Sequence, residues 1–167
     1  TNAVAVVVIA DPLITVNPVG FTECIGGNAT ISVTATGGTP SLSYQWFSNT
    51  SNTNTGGTSI SGAISSSYTP PSTSAGTTYY YCVVSFPAIT GGCSIITTNT
   101  AEVIINPNPV IAPESVTICS GNSFTIAPST SGGNIIPPGT TYTWTAPSIT
   151  PAGAITGATA EITPQTI

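Results

Sequence analysis

The side chains in this 167-residue chain with chemistry to offer are acids, thiols, hydroxyls and carboxamides, because it contains no Lys, no Arg and no His. A two-carboxylate site would need two of Asp11, Glu23, Glu102, Glu114 and Glu161 to sit together, and the five are scattered with no close pair. A hydroxyl or thiol nucleophile needs an activating base, and neither His, Lys nor a GxSxG elbow is present. Zinc is served no better, since there is no imidazole and no CxxC spacing. Residues 48–59 gather Asn49, Asn52 and Asn54 among Ser, Thr and Gly, but a calcium loop would add carboxylates that this one lacks. Those amides and hydroxyls suit hydrogen bonding to a sugar instead. Phe86, heading Phe86-Pro87-Ala88-Ile89, offers an apolar contact at a hairpin tip. We therefore expect no catalytic residue, no cofactor and no metal, and a protein that is not an enzyme.

The missing cations are selected. At ordinary usage the chance of drawing no Lys or Arg in this length is on the order of one in a billion. Nothing is available to neutralise phosphates, which excludes nucleic-acid binding through counterion release and recruitment to anionic membranes through a basic patch. The formal net charge is -5, so the surrounding field is weak. Hydrophobic residues make up 40 %, enough for a core, while the 15 Pro and 17 Gly point to many short strands and turns. No apolar run approaches a membrane span.

The elements that would position these groups recur along the chain. Thr1-Asn2-Ala3-Val4-Ala5-Val6 aligns without gaps to Thr98-Asn99-Thr100-Ala101-Glu102-Val103. Cys24 and Cys119, each followed by a glycine turn, keep nearly the same offset, as do Tyr44-Gln45-Trp46 and Tyr142-Thr143-Trp144. A tandem array of units the size of a β-sandwich domain follows. In this register residues 1–10 are the last strand of a preceding repeat, 11–106 one complete repeat, and 107–167 the first part of a following one. The ends are then cut inside repeats, and the chain is a window onto a longer protein.

Alternating and β-branched runs predict strands at 13–16, near 21, at 30–35, 42–47, near 68, at 77–85 and at 100–105. Such spacing indicates an all-β fold of tandem immunoglobulin-like β-sandwich repeats in an extended array. Trp46 takes the place of the buried strand-C tryptophan, with Trp144 as its counterpart in the next repeat. Tyr80 lies two residues before Cys82, the tyrosine-corner spacing, and Val33 stands where an antibody domain carries its other core cysteine. Tyr79 and Tyr81 alternate to the outer face, where they could serve adhesion.

Three cysteines fall in the complete repeat, Cys24, Cys82 and Cys93, so one is free or bonded elsewhere; Cys119 lies in the following repeat. Cys82 with Cys93 could bridge the last hairpin. Cys24 with Cys93 would close a longer loop, although sandwich topology sets them at opposite ends, and a bridge between repeats also stays open. Each of these patterns indicates an oxidising, extracellular setting.

The order of Cys24-Ile25-Gly26-Gly27, Ser43-Tyr44-Gln45-Trp46, Thr77-Thr78-Tyr79-Tyr80-Tyr81-Cys82, Gly92-Cys93-Ser94 and Thr98-Asn99-Thr100-Ala101-Glu102 resembles the tandem Ig-like repeats of giant cell-surface adhesins in Bacteroidetes-type bacteria. Pro138-Gly139-Thr140-Thr141-Tyr142-Thr143-Trp144 is similar to the PKD-like repeats of the same proteins. Among them, the repeat style looks like that of the gliding-motility filament adhesins of the SprB type. The resemblance implies type IX secretion, a place on the outer bacterial cell surface, and adhesion to a substratum.

The function this predicts is a structural and adhesive repeat segment of a very long extracellular filament. Its partners would be neighbouring repeats of the same chain and an external surface or polysaccharide, with no nucleic acid; an outer-membrane anchor or motility machinery would be reached only through other parts of the protein. The alternatives are a carbohydrate-binding accessory module of a secreted protein and a passive spacer or stalk.

Overall fold

The structure, a computed structural model, describes residues 3, 11–37, 41–86, 95–113, 117–119, 121–123, 128–146, 148–150, 152–157 and 160–165. The expected strand of residues 1–10 lies, apart from residue 3, outside them. The chain divides into two compact units, Thr1–Asn106 and Pro107–Ile167.

The described elements of the first unit are β1 (Leu13–Val16), β2 (Phe21–Cys24), β3 (Ile31–Ser32), β4 (Thr34–Thr36), β5 (Ser43–Asn49), β6 (Thr58–Ser59), β7 (Ser67–Tyr68), β8 (Gly76–Ser85), β9 (Ile95–Thr97) and β10 (Ala101–Asn106). One layer has the order β2-β10-β8-β5-β6, with β9 also on β8. The other consists of β1 on β4 and β3 on β7. Val33 separates β3 from β4 because the run changes partner there: its N–H donates to the Ser66 carbonyl at 2.9 Å, and the pairing passes from β7 to β1. Between the layers lie Ile31 and Val33 on one side and Trp46, Tyr80, Cys82, Val84, Ala101, Val103 and Ile105 on the other. The unit is an immunoglobulin-like β-sandwich, and the fold is all-β.

Alternation explains which side chains reach that core. On β8, Tyr80, Cys82 and Val84 point inward and are buried. Trp46 on β5 faces Cys82 across the ladder and is fully buried. Its ring lies 6.1 Å from Tyr68, which lies 5.7 Å from Tyr80, so three aromatics tie β5, β7 and β8 together. The indole N–H would be costly to bury alone, and it donates to the Ser65 carbonyl at 2.9 Å.

The first and last strands close the larger layer. β2 runs parallel to β10 in constant register, from Phe21 opposite Val103 to Cys24 opposite Asn106. The approach at its start depends on Gly20, since a methyl group built there would overlap the Glu102 backbone. Between β9 and β10 the pairing with β8 slips by one residue: Val83 faces Thr97, but Tyr80 faces Ala101. This bulge brings Ile96 and Thr98 inward on one side and Ala101, Val103 and Ile105 inward on the other. Thr98 is fully buried, and its hydroxyl is satisfied by the Cys82 N–H at 2.9 Å.

In the second unit β11 (Tyr142–Trp144) pairs antiparallel with β12 (Glu161–Gln165), and Val110 bridges Ile135. The turn at Cys119 reproduces the one at Cys24. In each, the cysteine carbonyl accepts from the N–H three residues on, at 3.0 Å from Gly27 and 3.2 Å from Asn122. Gly26 at φ 91° and Gly121 at φ 87° supply the left-handed position these turns need. Trp144 corrects an expectation. It is 46 % exposed rather than buried, because among the described residues its strand pairs only with β12 and no second layer covers it.

Candidate functional site

The amide-rich loop folds back over the outer face of the β5–β8 layer, and its asparagines are what hold it there. Asn49 acts as an internal staple. Its amide nitrogen donates to the Thr53 carbonyl at 3.1 Å, the Thr53 hydroxyl at 3.0 Å and the Thr55 carbonyl at 3.1 Å. Its Oδ1 accepts from the Ser51 N–H and hydroxyl, both at 3.3 Å. Asn54 reaches across to the bulge, donating to the Thr98 carbonyl at 2.9 Å. Asn52 accepts at Oδ1 from the Thr100 hydroxyl. The three asparagines singled out by sequence thus divide: Asn49 shapes the loop, while Asn52 and Asn54 dock it against the bulge at residues 98–100.

Between loop and bulge lies an open depression of about 420 Å³, lined by Asn52, Thr53, Asn54, Thr55, Asn99 and Thr100. Asn99 and Thr100 were not foreseen as site residues. Their position follows from the extra residue of the bulge, and the signal available was the broken alternation between Ile96 and Ala101. The Asn99 N–H is anchored by Asn17 Oδ1 at 2.8 Å.

Beneath the loop, Phe47 stacks on Tyr81 with ring centroids 5.1 Å apart and planes within 3°. The Tyr81 hydroxyl accepts from the Gly57 N–H at 3.1 Å. Tyr81 is therefore 4 % exposed, and the expectation of an open outer-face tyrosine is corrected: it is roofed by the loop it supports. Tyr79 does face outward, and its hydroxyl donates to Glu102 Oε1 at 2.9 Å. That bond to a carboxylate, first, and then desolvation raise the Tyr79 pKa above the usual phenol value.

The remaining sequence candidates are dispersed. Phe86 is 5 % exposed, not presented at a tip, so it belongs to the core and not to a contact surface. Residues 87–89 lie outside the described residues, as do Cys93 and Glu114. Cys82 is buried beside Trp46, and burial pushes its thiol up to about 11, which makes it inert. Cys24 and Cys119 are exposed, and no two of the three described cysteines are joined. The Cys82–Cys93 and Cys24–Cys93 pairings fall outside the description. Trp46, Val33 and Tyr80 sit together in the core, far from any ligand role.

Asp11 and Glu102 are exposed. Glu23 turns inward opposite Ile105, where Oε2 accepts from the Ala29 N–H at 3.1 Å and the buried Oε1 has no hydrogen-bond partner. Among the described residues no three acids, thiols or imidazoles gather at metal-binding distance. What this surface can do is exchange neutral hydrogen bonds.

Comparison with known proteins adds a family and a set of distant shapes. No curated protein matches the chain. Among solved structures, a chimeric titin Z1Z2 functionalised with an exogenous decorin peptide is similar at 18 % identity and TM-score 0.43, over 61 % of this chain and all of that one. The titin I-band fragment I67–I69 is similar at 14 % and 0.45, over 63 % of this chain and 35 % of the other. Sidekick-1 immunoglobulin domains 1–5 are similar at 21 % and 0.42, over 64 % and 22 % respectively. The model of a family described as a domain of unknown function, DUF8696, matches residues 20–107, more than half of the sequence, and the chain belongs to that family.

Proposed function

We infer that this chain is a load-bearing and adhesive repeat segment of a very long extracellular filament on a bacterial cell surface. The observation that carries the reading is the parallel pairing of β2 with β10. When the two ends of the unit are pulled apart, force enters β2 from its N-terminal side and leaves β10 at its C-terminal side. Parallel neighbours loaded in this way slide past each other, so their hydrogen bonds, including that from the Ile25 N–H to the Asn106 carbonyl at 3.0 Å, resist together in shear. Peeling would break them one at a time.

Supporting the same reading, the sequence offers no cation, so a filament of such units meets surfaces through hydrogen bonds and apolar contact rather than charge. Its partners are neighbouring repeats of the same protein and an external surface or polysaccharide. The resemblance to gliding-motility adhesins extends this to export by the type IX route and a role in surface movement.

Single-molecule stretching tests the mechanical part. Attachment through Asp11 and Pro107 should give an unfolding force severalfold higher than attachment through Gly56 and Pro107, which peels β6 and β5 instead. Equal forces in the two directions would refute the load-bearing role.

A further inference from the structure

Every side chain lining the depression beside the bulge is a carboxamide or a hydroxyl, and it gathers three asparagines where the likewise polar hollow around Asn49 and Thr58 has one. Internal hydrogen bonds also fix what each amide has left to offer. The Thr100 hydroxyl occupies Asn52 Oδ1, which leaves the Asn52 amide nitrogen as a donor. Asn54 gives one amide N–H to the Thr98 carbonyl, which leaves its Oδ1 as an acceptor and its second N–H as a donor. Asn99 is anchored through its backbone N–H, and its side chain has no partner among the described residues. One hollow, within the size range of small-molecule sites, is thus ringed by the Asn52 donor and by two amides, Asn54 and Asn99, that each keep a donor and an acceptor.

We propose that this depression recognises a neutral, polyhydroxylated ligand, a segment of uncharged glycan, through Asn52, Asn54 and Asn99. A sugar hydroxyl donates and accepts at once, so vicinal hydroxyls match a donor and an acceptor held side by side. An anionic ligand would find no cation, since the chain has none, and a metal ion would find no carboxylate in the lining. An apolar ligand would find no apolar wall. Asn52 and Asn54 are already fixed by the fold, so binding orders little that is free. With no aromatic platform in the lining, affinity comes from hydrogen bonds made in competition with water, and each site is weak, with a dissociation constant of about 1 mM. Repetition along a filament would then supply avidity. The proposal rests on the adhesive half of the function inferred above and names its ligand class.

The test is an NMR titration of the full chain with cellohexaose and maltohexaose, with oligogalacturonate as the acidic counterpart. At about 10 mM of a neutral hexaose, the side-chain amide signals of Asn52, Asn54 and Asn99 should shift while the acidic sugar leaves them in place. Asn99→Ala removes no internal side-chain bond, so it should keep the parent melting temperature and weaken binding about fivefold. Asn28→Ala, at an exposed turn on β2's side of the unit, should bind as the parent does. Silence with both neutral hexaoses, an equal response to oligogalacturonate, or parent affinity in Asn99→Ala would each overturn the site. If the hexaoses are silent but the chain still coats a polysaccharide surface, the site falls and the adhesive reading stands. If the chain neither binds nor coats, both fall.

Discussion

At the scale of single residues, the centre of the first unit is where stability is concentrated. Trp46 fills the space between the layers and spends its one polar atom on Ser65, so Trp46→Ala should cost about 3–5 kcal/mol in urea denaturation. Trp46→Phe keeps most of the ring and loses the hydrogen bond, and should cost less than half as much. Cys82 gives a pH signature. Its thiol is raised by burial from 9.0 to about 11, so the folded unit holds a proton that the unfolded chain releases first. The stability this contributes is complete below about pH 9 and is lost as pH rises toward 11, for a total of about 3 kcal/mol. Tyr68 and Tyr80, also raised by burial, add to the loss in the same direction at higher pH. Denaturation measured from about pH 8 to 11 should fall along this course, and Cys82→Ala should flatten it.

Elements show where a chemical reading of the sequence succeeds and where it stops. Gly20 exists for the close passage of β2 over Glu102, so Gly20→Ala should push the strand away and cost about 1–3 kcal/mol, read as a lower melting temperature and a lower shear force. Long alternating runs were legible: the strand expected at 13–16 is β1 to the residue, and the one expected at 77–85 is β8 from Gly76. The change of partner at Val33 was not, because it depends on which strand lies beside the run and not on the run itself. Nor were β6 and β9, of two and three residues, which exist only as edges laid on β5 and β8. The candidate site was half legible. Asn49, Asn52 and Asn54 stood out by composition, but Asn99 and Thr100 join them only through the bulge. Deleting Asn99 would take out the extra residue and let one unbroken ladder run from Thr97 opposite Val83 to Ala101 opposite Tyr80, with Thr98, Ala101, Val103 and Ile105 still inward, so the sandwich should survive while the Asn99 side of the depression is lost. Circular dichroism should show both the deletion and Asn99→Ala folded.

At the scale of the whole molecule, the absence of cations sets how the surface meets others. Adhesion of several linked units to glass or polysaccharide should vary little between about 10 mM and 500 mM salt, although the screening length falls from about 30 Å to a few Å. A steep salt dependence would show that charge governs contact after all. The pairing of β2 with β10 has one more consequence, for the order of events as the protein is made. The partner of β2 lies some 80 residues downstream, so the sandwich stays open until its last strand has emerged. A chain delivered N-terminus first would therefore cross any barrier as unfinished sheet, each module latching shut only when its own tail arrives.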